Sequence, residues 1–220
     1  MLYKHIILLK KWKTFHQDNK LKGLLLISLL LLMGAAIQSV VPKWAQPHDY
    51  YNPENRLLLS HINGHHLNQG IEKMNAGKFF AAEHDFKFML RSFPNHPQAL
   101  LEIGTLALKQ NKPEIASPFY KKAIELYPLT ASNYIVYGIF LHQQNEYDKA
   151  VDMYKNALKL DPNLSEAHYN LGLSLVKLKK YDDALFHAKK AYELDYPLPG
   201  LRNMLKKANA WSNEPLENEN

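Results

Sequence analysis

The chain has 220 residues, 46% of them hydrophobic and 22% charged, with no cysteine and a formal net charge of +6. That length accommodates one or two domains, and the absence of cysteine excludes thiol catalysis, disulfides and a C-x-x-C-H haem attachment within this chain. Residues 1–22 hold six lysines and one aspartate, a net +5, which leaves about +1 for the rest. The basic balance therefore belongs to the N-terminal tip and not to a nucleic-acid-binding face.

Residues 1–22 read as a basic cytoplasmic segment carrying Lys4, Lys10, Lys11, Lys13, Lys20 and Lys22. Residues 23–41, GLLLISLLLLMGAAIQSVV, carry no charge. As a helix they span roughly 28 Å, enough for a ~30 Å hydrocarbon core, and read as a transmembrane signal-anchor. Lysines before the span set the N-terminus in the cytoplasm and the rest in a periplasmic or other extracytoplasmic space. This is the expectation for a single-pass inner membrane protein. The alternative is a cleaved signal peptide, with Gly34 and Ala36 as a small-x-small site; the long leading segment argues against it. Ile6, Ile7, Leu9, Trp12 and Phe15 among the lysines fit a segment lying along an anionic leaflet, or a solvated basic tip. Residues 42–62 form a linker and lead-in helix. Residues 42–52 have two prolines and no clear period, so they read as a spacer. Asn52-Pro53 supplies an N-cap and first helical position. The helix it opens, through Leu57, Leu58 and Ile62, either runs on or breaks near Gly64.

Beyond it the chain repeats every 34 residues. Gly70, Gly104, Gly138 and Gly172 share one register, as do Ala82, Ala116, Ala150 and Ala184, and Pro94, Pro128 and Pro162. The last copy slips, with Tyr196 in the proline slot and Pro197 after it. The units are 63–96, 97–130, 131–164 and 165–198. Such a period marks a solenoid. In the third unit, Tyr134, Ile135, Tyr137, Gly138 and Leu141 fall at helical spacing, then comes a polar break at Gln144-Asn145-Glu146. Ala150, Val151, Tyr154, Ala157 and Leu158 form the second stripe. The glycine and alanine are expected to let the two helices, A and B, approach closely, with Ala123, Ala157 and Ala191 doing the same toward the next unit. The proline stops helix B.

These residues resemble the tetratricopeptide repeat. Its pattern asks for an aromatic at the fourth place, Leu at the seventh, Gly at the eighth, Ala at the twentieth and twenty-seventh, and Pro at the thirty-second. The third unit offers Tyr134, Tyr137, Gly138, Ala150, Ala157 and Pro162; the fourth His168, Leu171, Gly172, Ala184 and Ala191; the second Leu100, Ile103, Gly104, Ala116, Ala123 and Pro128. The first is the most worn, with His66, Gln69, Gly70, Ala82, Met89 and Pro94. The resemblance implies an all-α chain: a right-handed α-solenoid of four helix pairs. A capping helix at 199–211 would present Leu201, Met204, Leu205 and Ala208 on one face, with Arg202, Lys206 and Lys207 off it. Residues 212–220 form an acidic tail, read as disordered.

No Gly-rich phosphate loop or nucleophile elbow appears, and Glu146, Asp148, Asp182 and Asp183 fall on polar faces or in turns. No catalytic residue, cofactor or metal is expected, and the chain reads as no enzyme. His61 and His65 would share a face of a continuous helix, a geometry that grips a metal, but no third ligand stands at matching spacing. They are therefore expected to be ordinary surface or packing histidines. The resemblance places the second, fifth, sixth, ninth, twelfth and thirteenth positions of each unit on the inner wall made by the A helices. The fifth and ninth are Leu67 and Ile71, Leu101 and Thr105, Ile135 and Ile139, Tyr169 and Leu173; the sixth are Asn68, Glu102, Val136 and Asn170. The candidate peptide-binding groove is therefore Leu67, Asn68, Ile71, Leu101, Glu102, Thr105, Ile135, Ile139, Tyr169, Asn170 and Leu173. Chaperone-binding members clamp a terminal carboxylate with Lys, Asn and Arg there, which this largely aliphatic set does not match. The expected ligand is an apolar or amphipathic protein segment. Competing readings cover the wall with residues 44–60 or a second copy, or pack its aliphatics between neighbouring helices. The implied function is that of a membrane-tethered adaptor or assembly factor that binds protein and not nucleic acid. Nothing in the sequence indicates a homodimer. The alternatives are a holder of unfolded polypeptides, such as a cytochrome c maturation-type factor, or a non-catalytic subunit of an envelope enzyme or export complex.

Overall fold

The structure, a computed structural model, describes residues 46–212. The basic tip, the 23–41 span and almost all of the acidic tail lie outside the described residues. Among the described residues no helix is long and apolar enough to cross a membrane. The chain divides into two units, Met1–Gln46 and Pro47–Asn220, and every described element belongs to the second. These elements are all helical.

Asn52 opens the first helical turn as its cap: its side-chain oxygen accepts the Glu54 N–H at 3.0 Å, and Pro53 takes the first position. After the 3-10 turn Pro53–Asn55, α1 (Arg56–Ile62) passes through a π turn, Asn63–Leu67, into α2 (Asn68–Asn75). The junctions keep right-handed helical torsions, so the helix does not break at Gly64. Ile62 and Leu67 are both buried although five residues apart. An ordinary helix would set them about 140° apart; one wide i→i+5 turn puts both on the core side.

The remaining helices are α3 (Phe79–Ser92), α4 (Pro97–Lys109), α5 (Ser117–Leu126), α6 (Ala131–Gln143), α7 (Tyr147–Leu160), α8 (Ser165–Lys177), α9 (Tyr181–Glu193) and α10 (Gly200–Lys207). Each packs on the next, α4 also packs on α6, and α6 on α8. The A helices are α2, α4, α6 and α8; the B helices are α3, α5, α7 and α9. The turn from A to B repeats in one form. Gly77, Asn111, Asn145 and Lys179 sit at positive φ of 73°, 53°, 63° and 59°, one per unit. The next N–H reaches the carbonyl five residues back, as in Glu146 to Leu141 and Lys180 to Leu175, both 2.9 Å. This is a Schellman close, and the left-handed residue in it favours Gly or Asn.

The glycines have a different purpose from the one the pattern suggests. A methyl on Gly138 would lie 2.5 Å from the Tyr154 ring, and one on Gly70 would lie 2.6 Å from Phe86. At Gly104 it would meet the Tyr120 hydroxyl, which donates to the Leu100 carbonyl at 2.8 Å. Each of these A-helix glycines thus receives an aromatic ring from its own B helix, in place of a bare backbone contact. In the fourth unit that ring position is Ala188, and the space at Gly172 is filled by Leu201 of α10. The cap is a plug for the missing ring.

The Tyr196 departure also has a physical basis. Asp195 turns left-handed at φ 58°, and the Tyr196 N–H donates to the Ala191 carbonyl at 3.0 Å. Proline has no N–H to make that bond.

Candidate protein-binding wall of the A helices

The expected groove residues separate by burial. Leu67, Ile135 and Tyr169 are only 3%, 5% and 6% exposed. Ile135 packs with Ala157 and Ala167 between units. Tyr169 stacks on Tyr196, ring centres 4.3 Å apart, so the aromatic in the proline slot covers it. These three are core, a correction to the periodic assignment: the π turn rotates Leu67 inward, Ile135 faces the seam between units, and Tyr196 covers Tyr169. Val136, the sixth place of the third unit, is buried as well. Asn68 and Leu101 are exposed, while Ile71, Glu102, Thr105, Ile139, Asn170 and Leu173 are half-buried. Thr105 spends its hydroxyl on the Leu101 carbonyl at 3.0 Å, and the Asn170 carbonyl accepts from Ser174 at 3.1 Å.

Two carboxylates stand out on these helices. Burial pushes both Glu102 and Glu166 above the usual carboxylate range. Neither forms an ion pair with a described residue; Glu102 is half-buried and has lost water without gaining a cation, whereas the Glu166 side chain stays exposed, so its shift is the weaker sign of the two. Glu166 occupies the second place of its unit, a groove position the aliphatic stripe did not single out. His142 of α6 meets the Ser174 hydroxyl of α8 at 2.8 Å, a polar link between successive A helices. Burial, then Lys177, lowers its pKa.

The spacer expected at 42–52 is, over its described part, anchored. The His48 N–H donates to the Ser92 carbonyl at 2.8 Å, and the Tyr50 N–H to the Asn95 side-chain oxygen at 2.9 Å. Asn95 in turn donates to Asp49 at 2.7 Å, and Tyr50 packs on His96. The hydroxyls of Tyr51 and Ser132 are 2.6 Å apart. The lead-in segment therefore touches the start of α6, at the second place of the third unit, without covering the later A helices. Such side-chain bonds leave no period in the sequence. An apolar hollow of about 410 Å³ is lined by Leu90, Pro94, Phe119 and Leu126, with Arg91, Lys122 and Pro47 of the lead-in segment.

The histidines are mostly structural. His66 Nδ1 lies 3.1 Å from Asp85, whose other oxygen accepts from Lys73 at 2.6 Å. His168 Nε2 donates to the Pro162 carbonyl at 3.0 Å, which leaves its Nδ1 to accept from His187 at 2.9 Å. No group of three or more potential metal ligands comes together among the described residues.

The chain's two-helix units, glycine sockets and left-handed turns define a class of stacked-repeat scaffold. Family models described as tetratricopeptide repeat match residues 67–133 and 165–197, and one described as TPR repeat matches 140–179. Together they take in more than half the sequence, and the chain belongs to the tetratricopeptide repeat family. Among solved structures, PilF of Pseudomonas aeruginosa aligns with a TM-score of 0.54 at 22% identity, over 69% of this chain and 71% of its own. Two structures of MamA align with TM-scores of 0.50 and 0.51, both at 23% identity. They cover 64% and 68% of this chain, and 85% and 81% of their own. At these identities the likeness is one of fold. No curated protein matches the chain. Stacked repeats of this family present extended surfaces for other proteins, so the molecule is an interaction scaffold.

Proposed function

We propose that the chain is a membrane-tethered adaptor or assembly factor whose A-helix wall holds a polypeptide segment on the extracytoplasmic side. The 23–41 stretch is its tether and the lysine-rich tip stays in the cytoplasm. The observation that carries the reading is the pairing of half-open aliphatics with carboxylates that have no cation. Ile71, Leu101, Ile139 and Leu173 recur along the A helices, with Glu102 half-buried and Glu166 exposed on the same helices, and both carboxyls are held above the usual range. An amphipathic segment with apolar anchors and a lysine or arginine meets both needs, because a cation brought to a desolvated carboxylate restores what burial removed. Tethering raises the local concentration of membrane-bound partners without any added contact. No catalytic step is assigned to any residue.

A photoreactive amino acid at Leu101 or Ile139 tests the site; Ile135 is too buried to serve. Crosslinks to one stoichiometric partner, lost in Glu102→Gln/Glu166→Gln, are expected. Crosslinks confined to the chain itself would refute the wall as a binding surface. A compartment-specific reporter fused after Asn220 tests the orientation.

A further inference from the structure

We propose that His61 and His65 form an open two-imidazole site for a late first-row divalent cation (zinc, nickel or copper) across the π turn that joins the lead-in helix to the first repeat. The two rings lie 4.9 Å apart, centre to centre, inclined at 60°. Both side chains are exposed, and neither makes a hydrogen bond or ion pair with a described residue. Their neighbours differ. His66 is taken by Asp85, His96 by Asn63 at 3.0 Å, and Lys73 by Asp85. Two unengaged imidazoles thus stand side by side while the polar groups around them are matched.

The π turn sets this alignment. In an ordinary helix, residues four apart are offset by about 40° around the axis. A turn widened to i→i+5 brings them closer to vertical register. Ile62 and Leu67 hold that turn by being buried on its inner side, which directs His61 and His65 outward together. The spacing suits one ion. With metal–nitrogen bonds of about 2.0–2.1 Å, each ring centre sits roughly 3.2 Å from the metal, and two such ligands at about 100° are separated by roughly the observed distance. Imidazole nitrogen suits zinc, nickel and copper and not magnesium or calcium. Two protein ligands leave the other positions to water or to a donor from another molecule. Bound metal would tie α1 to the π turn and resist unwinding of that turn.

The test uses the untagged full-length chain, nickel or zinc chloride, isothermal calorimetry and thermal unfolding. The expected result is an event of one ion per chain that raises the unfolding midpoint. It should weaken at least about tenfold in His61→Ala and in His65→Ala, and persist in His84→Ala, an exposed histidine elsewhere. Wild-type binding retained in both His61→Ala and His65→Ala overturns the site, as does the absence of any calorimetric response in the wild type. Circular dichroism of the apo variants checks that they fold as the parent does.

Discussion

The two ends of the repeat stack are finished by different means. At the N-terminal end the first unit is complete in itself, since Phe86 fills the Gly70 socket. What it borrows from outside the repeat is a few apolar side chains, Ile62 above all, and a set of polar ties: Asp49 and the Tyr50 N–H bond Asn95 in the loop after α3. Within that unit, a carboxylate only 4% exposed, Asp85, is shared by His66 and Lys73. At the C-terminal end the fourth unit is incomplete, and its socket is filled by Leu201 from a helix that is not a repeat. Arg202 then lies over the Tyr192 ring at 4.4 Å and the Trp211 ring at 5.0 Å. The pattern puts Arg202 on the outer face, yet the two rings and the bond from its N–H to the Tyr192 hydroxyl draw it in. A repeat stack has no next unit at its ends, so ends must be closed by segments outside the period.

The sharpest break in this contrast is Leu201→Ala. It empties a fully buried socket and should cost about 3 kcal/mol. Hydrogen exchange is expected to rise first in α8, α9 and α10 and to leave α3 protected, because repeat stacks open locally. Uniform loss across all helices would mean the ends are not independent. The matching change at the other end is Asp85→Ala, expected to cost about 2 kcal/mol because Lys73 and His66 are partly open to water and keep some hydration. Its exchange should rise in α2 and α3 only.

Acid should act at both ends and in graded fashion. Burial lowers His96 and His187 to about 4, from an ordinary 6.5; for His187 the neighbouring His168 adds to this. The unfolded chain therefore binds more protons between about pH 6.5 and 4. Stability is constant above that window and falls as pH drops through it. Urea midpoints at pH 5 and 7 check this, and His187→Gln with His96→Gln should flatten the difference. The smallest effect has the opposite sign. Lys179 holds a left-handed turn that Gly or Asn fills in the other units, so Lys179→Gly should stabilise by about 1 kcal/mol, read as a higher unfolding midpoint.

Much of the fold was legible because close packing at a fixed period leaves fixed marks. Gly70, Gly104, Gly138 and Gly172 announced the units, and Asn52-Pro53 announced the first helical turn. The rings at Phe86, Tyr120 and Tyr154 share that period, but only the structure matched them to the glycine sockets and showed Leu201 filling the place that Ala188 leaves open. The candidate wall was less legible. Leu67, Ile135 and Tyr169 share a register place with the exposed Leu101, and what buries them is the π turn at Leu67, the packing of α6 on its neighbours at Ile135 and the ring of Tyr196 on Tyr169. Glu166 was missed because it stands at the second place of its unit, outside the fifth, sixth and ninth places that the stripe singled out.

By itself, the order of residues determined that helices pair, where they turn and that they stack, since these follow from local torsions and from apolar stripes recurring every 34 residues. Tertiary structure alone decided which aliphatics face solvent, how the lead-in segment is anchored, and that a π turn carries one helix through Gly64. Those outcomes depend on contacts between residues far apart in the chain, such as Tyr50 with Asn95 or Gly172 with Leu201, and no local period encodes a distant partner.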